Sequence, residues 1–204
     1  MTTSEKTRKL REIRDEVLNL KASPLYAERV KNKVFPVLGE GSHDAEVMFI
    51  GEAPGRNEAA NGRPFCGAAG HVLDGLLASI QVDRRDVYVT NIVKDRPPNN
   101  RDPLPEEIEI YAPFLIRQIE VIQPKVIATL GRFSMQYLMP KFGLEREMRS
   151  ISQIHGTAFN TATPYGAVTF IPLLHPAVTL YNSDTREQLF MDFQKLKRVI
   201  KNVA

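Results

Sequence analysis

Leu10, Ile13, Val17 and Leu20 recur at spacings of three and four among charged residues, which predicts an amphipathic helix over Glu5 to Leu20. A second stripe of Val72, Leu73, Leu76, Leu77 and Ile80 predicts a helix over Ala68 to Ile80. Other apolar runs are too short for helices and are bounded by glycine or polar residues. Glu46–Ile50, Val87–Thr90 and Lys125–Leu130 therefore predict strands. Arg132 to Leu138 predicts a helix, and Ile154–Phe159 with Ala167–Leu173 flank Pro164-Tyr165-Gly166 as a hairpin. Asp95–Pro105 holds four prolines and cannot be helical throughout. Pro105 stands where a helix can begin, with Glu106 and Glu107 in its first turn, and that helix runs to about Val121. Asp184 is the expected N-cap of a last helix ending near Ile200. Strands alternating with helices predict an α/β fold with a central, mostly parallel four-stranded sheet and helices on both faces. One domain over 1–204 is expected, with 1–37 as a helical segment packed on it.

Composition narrows the classes without naming one. A chain of 204 residues with 43% hydrophobic content can bury one good core. No apolar run approaches the roughly 18 residues of a membrane helix, and Met1 to Arg14 has no signal-like apolar segment. Cys66 is the single cysteine, so an internal disulfide or a cysteine-held cluster within one chain is excluded. The expectation is a cytoplasmic monomer with no membrane partner, no metal and no cofactor. Net charge is only +3, so placement matters more than total. Lys94, Arg96 and Arg101 crowd the proline-rich loop beside Asn91, where a positive surface would meet phosphate. Lys195, Lys197, Arg198 and Lys201 fit an ordinary solvated helix face better.

The candidate chemistry sits at strand ends. Gly51-Glu52-Ala53-Pro54-Gly55, Thr90-Asn91-Ile92-Val93-Lys94 and Leu174-His175-Pro176-Ala177 each follow an apolar run. Ligands of open α/β sheets bind outside the carboxyl ends of the strands, so a loop, an amide and an imidazole there suggest one pocket. With Gly62-Arg63-Pro64-Phe65-Cys66-Gly67 added, the pattern resembles the uracil-DNA glycosylase superfamily, and within it family 4. The likeness runs from about Leu38 to the C-terminal helix.

The resemblance implies a monofunctional enzyme of base excision repair that binds uracil-containing DNA and cuts the glycosidic bond to leave an abasic site. Asn91 would accept from uracil N3–H and donate to O4, a pattern cytosine does not offer. His175 would donate to O2 as negative charge develops, and Phe65 would stack on the extruded base. His43, His71 and His155 read instead as surface or satisfied core residues. Gly51, Glu52 and Ala53 would line the base site. Ala53 stands where some members carry a water-positioning aspartate, which leaves Glu58 as the acid to orient water or stabilise the sugar cation. A solvated loop acid is the bland alternative for Glu58. Pro176, Ala177, Leu180 and Tyr181 match a loop that enters the minor groove, Leu180 being the first choice as wedge and Tyr181 the second. Arg96 and Arg101 would take DNA phosphates.

Two departures stand out. Family 4 members typically hold a [4Fe–4S] cluster on four cysteines, but those positions here read Pro24, Ala27, Asp95 and Tyr111. A cluster needs thiolates, so packing by Tyr111 and Pro24 is expected to fill the space. The histidine-bearing insertion of the branch that traps uracil covalently is missing between Asn91 and Pro105. Three alternatives stay open from sequence. One is a same-fold glycosylase for other deaminated or mismatched bases, and another is a non-catalytic binder of uracil-containing DNA. The last is a Rossmann-type nucleotide site, disfavoured because no Gly-x-Gly-x-x-Gly follows the first strand.

Overall fold

Runs such as Val47–Gly51 and Val126–Leu130 offer apolar side chains on both faces, so they are stable only as strands covered from above and below. Every residue of both is buried. A computed structural model describes residues 1–180 and 182–203. Its strands are β1 (Glu40–Gly41), β2 (Val47–Gly51), β3 (Tyr88–Asn91), β4 (Val126–Leu130), β5 (Phe159–Thr163) and β6 (Gly166–Leu173), in the order β1-β3-β2-β4-β6-β5. The central four are parallel, and β1 and β5 add antiparallel edges.

The helices are α1 (Thr3–Leu18), α2 (Tyr26–Asn32), α3 (Arg56–Asn61), α4 (Ala68–Ser79), α5 (Pro105–Ile122), α6 (Arg132–Lys141), α7 (Ile151–Ile154) and α8 (Ser183–Val203). Alternating strand positions feed two cores. Met48, Ile50, Ile127 and Phe170 face α1, α5 and α6. Val47, Phe49, Ala128 and Ile171 face α4 and α8.

Several expectations need correction. The sheet has six strands, not four. β1 is two residues with no apolar signature, too short for alternation to register. The hairpin exists, but its first strand is Phe159–Thr163; Ile151–Ile154 forms a helical turn inside a Ser150–Gln153 capping box. The last helix is capped by Asn182, whose Oδ1 accepts from the backbone N–H groups of Asp184 (2.9 Å) and Thr185 (3.1 Å), and not by Asp184.

Of the four positions marked for cluster cysteines, Tyr111 packs into the core as expected, while Pro24 and Ala27 are exposed and fill no space; Asp95 and Tyr111 join Ser23 and Arg29 in a polar lock. Tyr111 OH lies 2.6 Å from Asp95 Oδ2 and 2.7 Å from Ser23 Oγ. Arg29 Nη1 donates to both Asp95 oxygens at 3.2 and 3.1 Å, and its guanidinium also reaches the carbonyls of Val17 and Leu18. The groups are nearly solvent-free, so the charge pair stands because its hydrogen bonds are satisfied. Carboxylate and phenol are bound to each other, and no thiolate is present. These residues do not fit an iron–sulfur cluster.

Candidate active site

Parallel register brings the strand ends level. Gly51 on β2 pairs with Asn91 on β3, and Leu130 on β4 pairs with Leu173 on β6, two residues before His175. A cavity of about 330 Å³ opens there, lined by Glu52, Ala53, Gly55, Glu58, Phe65, Ala69, Asn91, Asn100, His175 and Ala177. Gly51 is required by the packing, since a Cβ there would run into Asn91 Oδ1 and the Phe65 ring. Asn91 is 2% exposed, and among the described residues its carboxamide has no hydrogen-bond partner, so both its donor and its acceptor remain for a ligand.

Phe65 lies in the glycine- and proline-rich turn that leads into α4. It is buried, with its ring centroid 5.7 Å from that of His175. Its φ of 48° is rare for an aromatic residue, and strained backbone of this kind clusters at ligand sites. Helix α4 holds the turn in place, because Gly70 presses its Cα against the Phe65 carbonyl where no Cβ fits. Gly70→Ala should therefore displace Phe65 and cost on the order of 1–3 kcal/mol of stability, like other overpacking changes. A thermal melt compared with Gly75→Ala, at a position with open space, checks this.

Glu58 lies in the first turn of α3 rather than in a loop. Its Oε1 accepts from the backbone N–H groups of Cys66 at 3.0 Å and Gly67 at 2.8 Å. That anchor ties the acid to the Phe65 turn and leaves Oε2 toward Gly55 and the cavity.

His175 is the opposite case, a base made less basic. Burial pushes its pKa down to about 4, with Glu58 opposing, so the ring is neutral near pH 7. Its Nδ1 accepts from Ala177 N–H at 3.2 Å, which assigns the proton to Nε2. The site thus holds a neutral imidazole with a fixed donor. Glu52 is raised to about 7 by burial, helped by Asp102 and opposed by Arg132. Below that pH its carboxyl keeps its proton and is a further donor on the cavity wall.

Asn100 had no sequence-based expectation attached to it. It lines the cavity at φ 54°, after Asn99 at φ 55°. Asparagine is among the few residues that tolerate this left-handed region, and an Asn-Asn pair after Pro-Pro was the available signal. Its Oδ1 accepts from Arg96 Nε at 2.6 Å, so Arg96 is tied to the rim of the site.

Arg101 and Lys94 are both engaged within the fold, and the burial of Lys94 rules out the phosphate contact expected of it. Arg101 is committed to Glu107 by bonds of 2.8 and 2.5 Å, part of the cap that starts α5. Lys94 faces no solvent and is fully buried. The turn Pro176–Leu180 buries Pro176 and Thr179 but leaves Val178 and Leu180 more than two-fifths exposed, and Ala177 lines the cavity. Tyr181 lies outside the described residues. A roomier groove of about 880 Å³ runs between α4, this turn and α8, but none of Asn91, Phe65, Glu58 and His175 lines it.

Comparison with known proteins agrees with this geometry. The family model described as "Uracil DNA glycosylase superfamily" matches residues 38–198. The chain is 46% identical to a Type-4 uracil-DNA glycosylase of Archaeoglobus fulgidus over 166 residues, covering 81% of this chain and 82% of that one. It is also 46% identical to one of Saccharolobus solfataricus over 192 residues (93% and 86%), and 42% identical to one of Sulfurisphaera tokodaii over 191 residues (93% and 84%). With a match over most of its length and the motif residues gathered in one cavity, the chain belongs to the uracil-DNA glycosylase superfamily, in its type-4 family.

Proposed function

We propose that this protein hydrolyses the N-glycosidic bond of uracil in DNA and leaves an abasic site, as one domain spanning the chain. The observation that carries the reading is the state of four side chains on one cavity. The Asn91 carboxamide has no partner among the described residues, the Phe65 ring is held at the cavity wall, His175 is a neutral donor, and Glu58 has one oxygen fixed and the other toward the cavity. Relatives named Type-4 uracil-DNA glycosylases support the same substrate.

In this mechanism the base leaves the stack and lies against Phe65, with its N3–H and O4 on Asn91. Ala177 and Leu180 occupy the groove side, and Arg96 meets a phosphate. As the C1′–N1 bond breaks, its electron pair moves onto the base, and His175 Nε2–H donates to O2 where that charge collects. Glu58 Oε2 faces the sugar, stabilises its cationic character and orients the water that forms the new C1′–O bond. The water's proton passes to the carboxylate and then to solvent, and the uracil anion is protonated on release.

The test uses labelled oligonucleotides carrying uracil, hypoxanthine, xanthine or mismatched thymine, with alkaline cleavage of abasic sites. Uracil should be released far faster than the others. A site built on hydrogen bonds to a base loses most of its selectivity when they go, so Asn91→Ala should slow single-turnover uracil release by at least ~10²-fold. Equal release of hypoxanthine, or no release of any base, would overturn the assignment.

A further inference from the structure

Lys94 is a buried cation that the mechanism above does not use. It follows β3 by three residues, yet its side chain folds back beneath the end of that strand and is 0% exposed. Nζ lies 2.6 Å from the Asn91 carbonyl, 2.6 Å from Gln118 Oε1 and 2.9 Å from Thr90 Oγ1.

All three oxygens are acceptors toward it. Thr90 has its hydroxyl proton on the Leu38 carbonyl at 2.6 Å, and Gln118 donates its amide nitrogen to the same carbonyl at 2.9 Å, which turns its oxygen to the lysine. Three acceptors fit the three protons of an ammonium. A neutral amine would point its lone pair at one of these oxygens. Burial pushes the lysine's pKa well down, and the three acceptors around Nζ oppose that shift by favouring the protonated form. The neighbouring carboxylate, Asp95, is taken by Arg29 and Tyr111, so the ammonium has neutral partners only.

An uncompensated buried charge is costly, and its placement suggests what offsets that cost. One side of Asn91 is in the cavity, and the backbone carbonyl on its other side is on Lys94. Resting on the function proposed above, we propose that Lys94 is a positioning residue for base release. Its ammonium fixes Asn91 at the end of β3 and sets a positive charge behind the base that departs as an anion. Fixed charge in a dry site acts without reorganisation and is screened far less than in water.

The charge separates this role from simple packing. Lys94→Met keeps the length and removes charge and donors, and Lys94→Gln keeps a donor without the charge. Each is measured in single turnover on uracil and on 5-fluorouracil in DNA, whose fluorine makes the base a better leaving group that needs less help. Both variants should lose on the order of 10-fold or more on uracil and several-fold less on 5-fluorouracil. Equal losses on the two bases would reduce Lys94 to a structural residue, and no loss would remove the role. Carbon-13 NMR of the Lys94 side chain in the unsubstituted protein reads the charge independently of whether the variants fold, and a neutral amine at pH 7 overturns the proposal. Absence of uracil release by the unsubstituted protein would instead overturn the function on which this role rests.

Discussion

His175→Ala should slow single-turnover uracil release by about 10²–10³-fold, the cost of removing one preorganised donor to a developing anion. Binding to abasic product should change far less, because the donor acts on charge that exists only as the bond breaks. His175→Gln offers an N–H of different reach and should recover part of the rate. The imidazole also makes a pH prediction. Its folded pKa of about 4 lies below the ordinary 6.5, so the unfolded chain takes up the proton first as pH falls. The stability that neutral His175 contributes is therefore complete above pH 6.5 and lost between 6.5 and about 4. Thermal melts across that window should fall more steeply for the unsubstituted protein than for His175→Ala. Parallel curves would mean that the ring is not held neutral.

Glu58→Gln should lower single-turnover release by ~10²-fold or more, within the range for a positioned acid–base group. The substitution preserves size and one acceptor oxygen, so the bonds from the Cys66 and Gly67 N–H groups can persist and Phe65 stays in place. What disappears is the charge facing the sugar. DNA binding should hold or tighten, since a negative charge near phosphates is removed. An unchanged rate would leave Glu58 as a brace for the Phe65 turn, and Glu52→Gln would be the next variant to measure.

The central strands were legible because β2, β4 and β6 are dominated by apolar residues and β3 follows Val87 with β-prone Tyr88, Val89 and Thr90. The elements that escaped were those too short to show a period. Helix α3 has six residues, α7 four and β1 two. Missing α3 hid the anchoring of Glu58, which depends on a helix turn facing the start of α4. The motif residues were readable as types and as strand-end positions. What their side chains touch was not. A lysine after an apolar strand reads as surface, yet Lys94 folds inward onto Gln118, which lies 24 residues further along on α5. Arg101 likewise reads as an unpaired cation, yet both of its terminal nitrogens are on Glu107. Such pairings depend on tertiary approach and leave no local pattern.

The lock of Arg29, Asp95, Tyr111 and Ser23 changes what this protein is vulnerable to. Thiolates that hold iron can be oxidised, and their assembly depends on metal supply. A guanidinium, a carboxylate and two hydroxyls have no comparable redox chemistry, and they come ready-made with the chain. The join between the N-terminal helices, the loop after β3 and α5 thus depends on neither iron nor a reduced thiol.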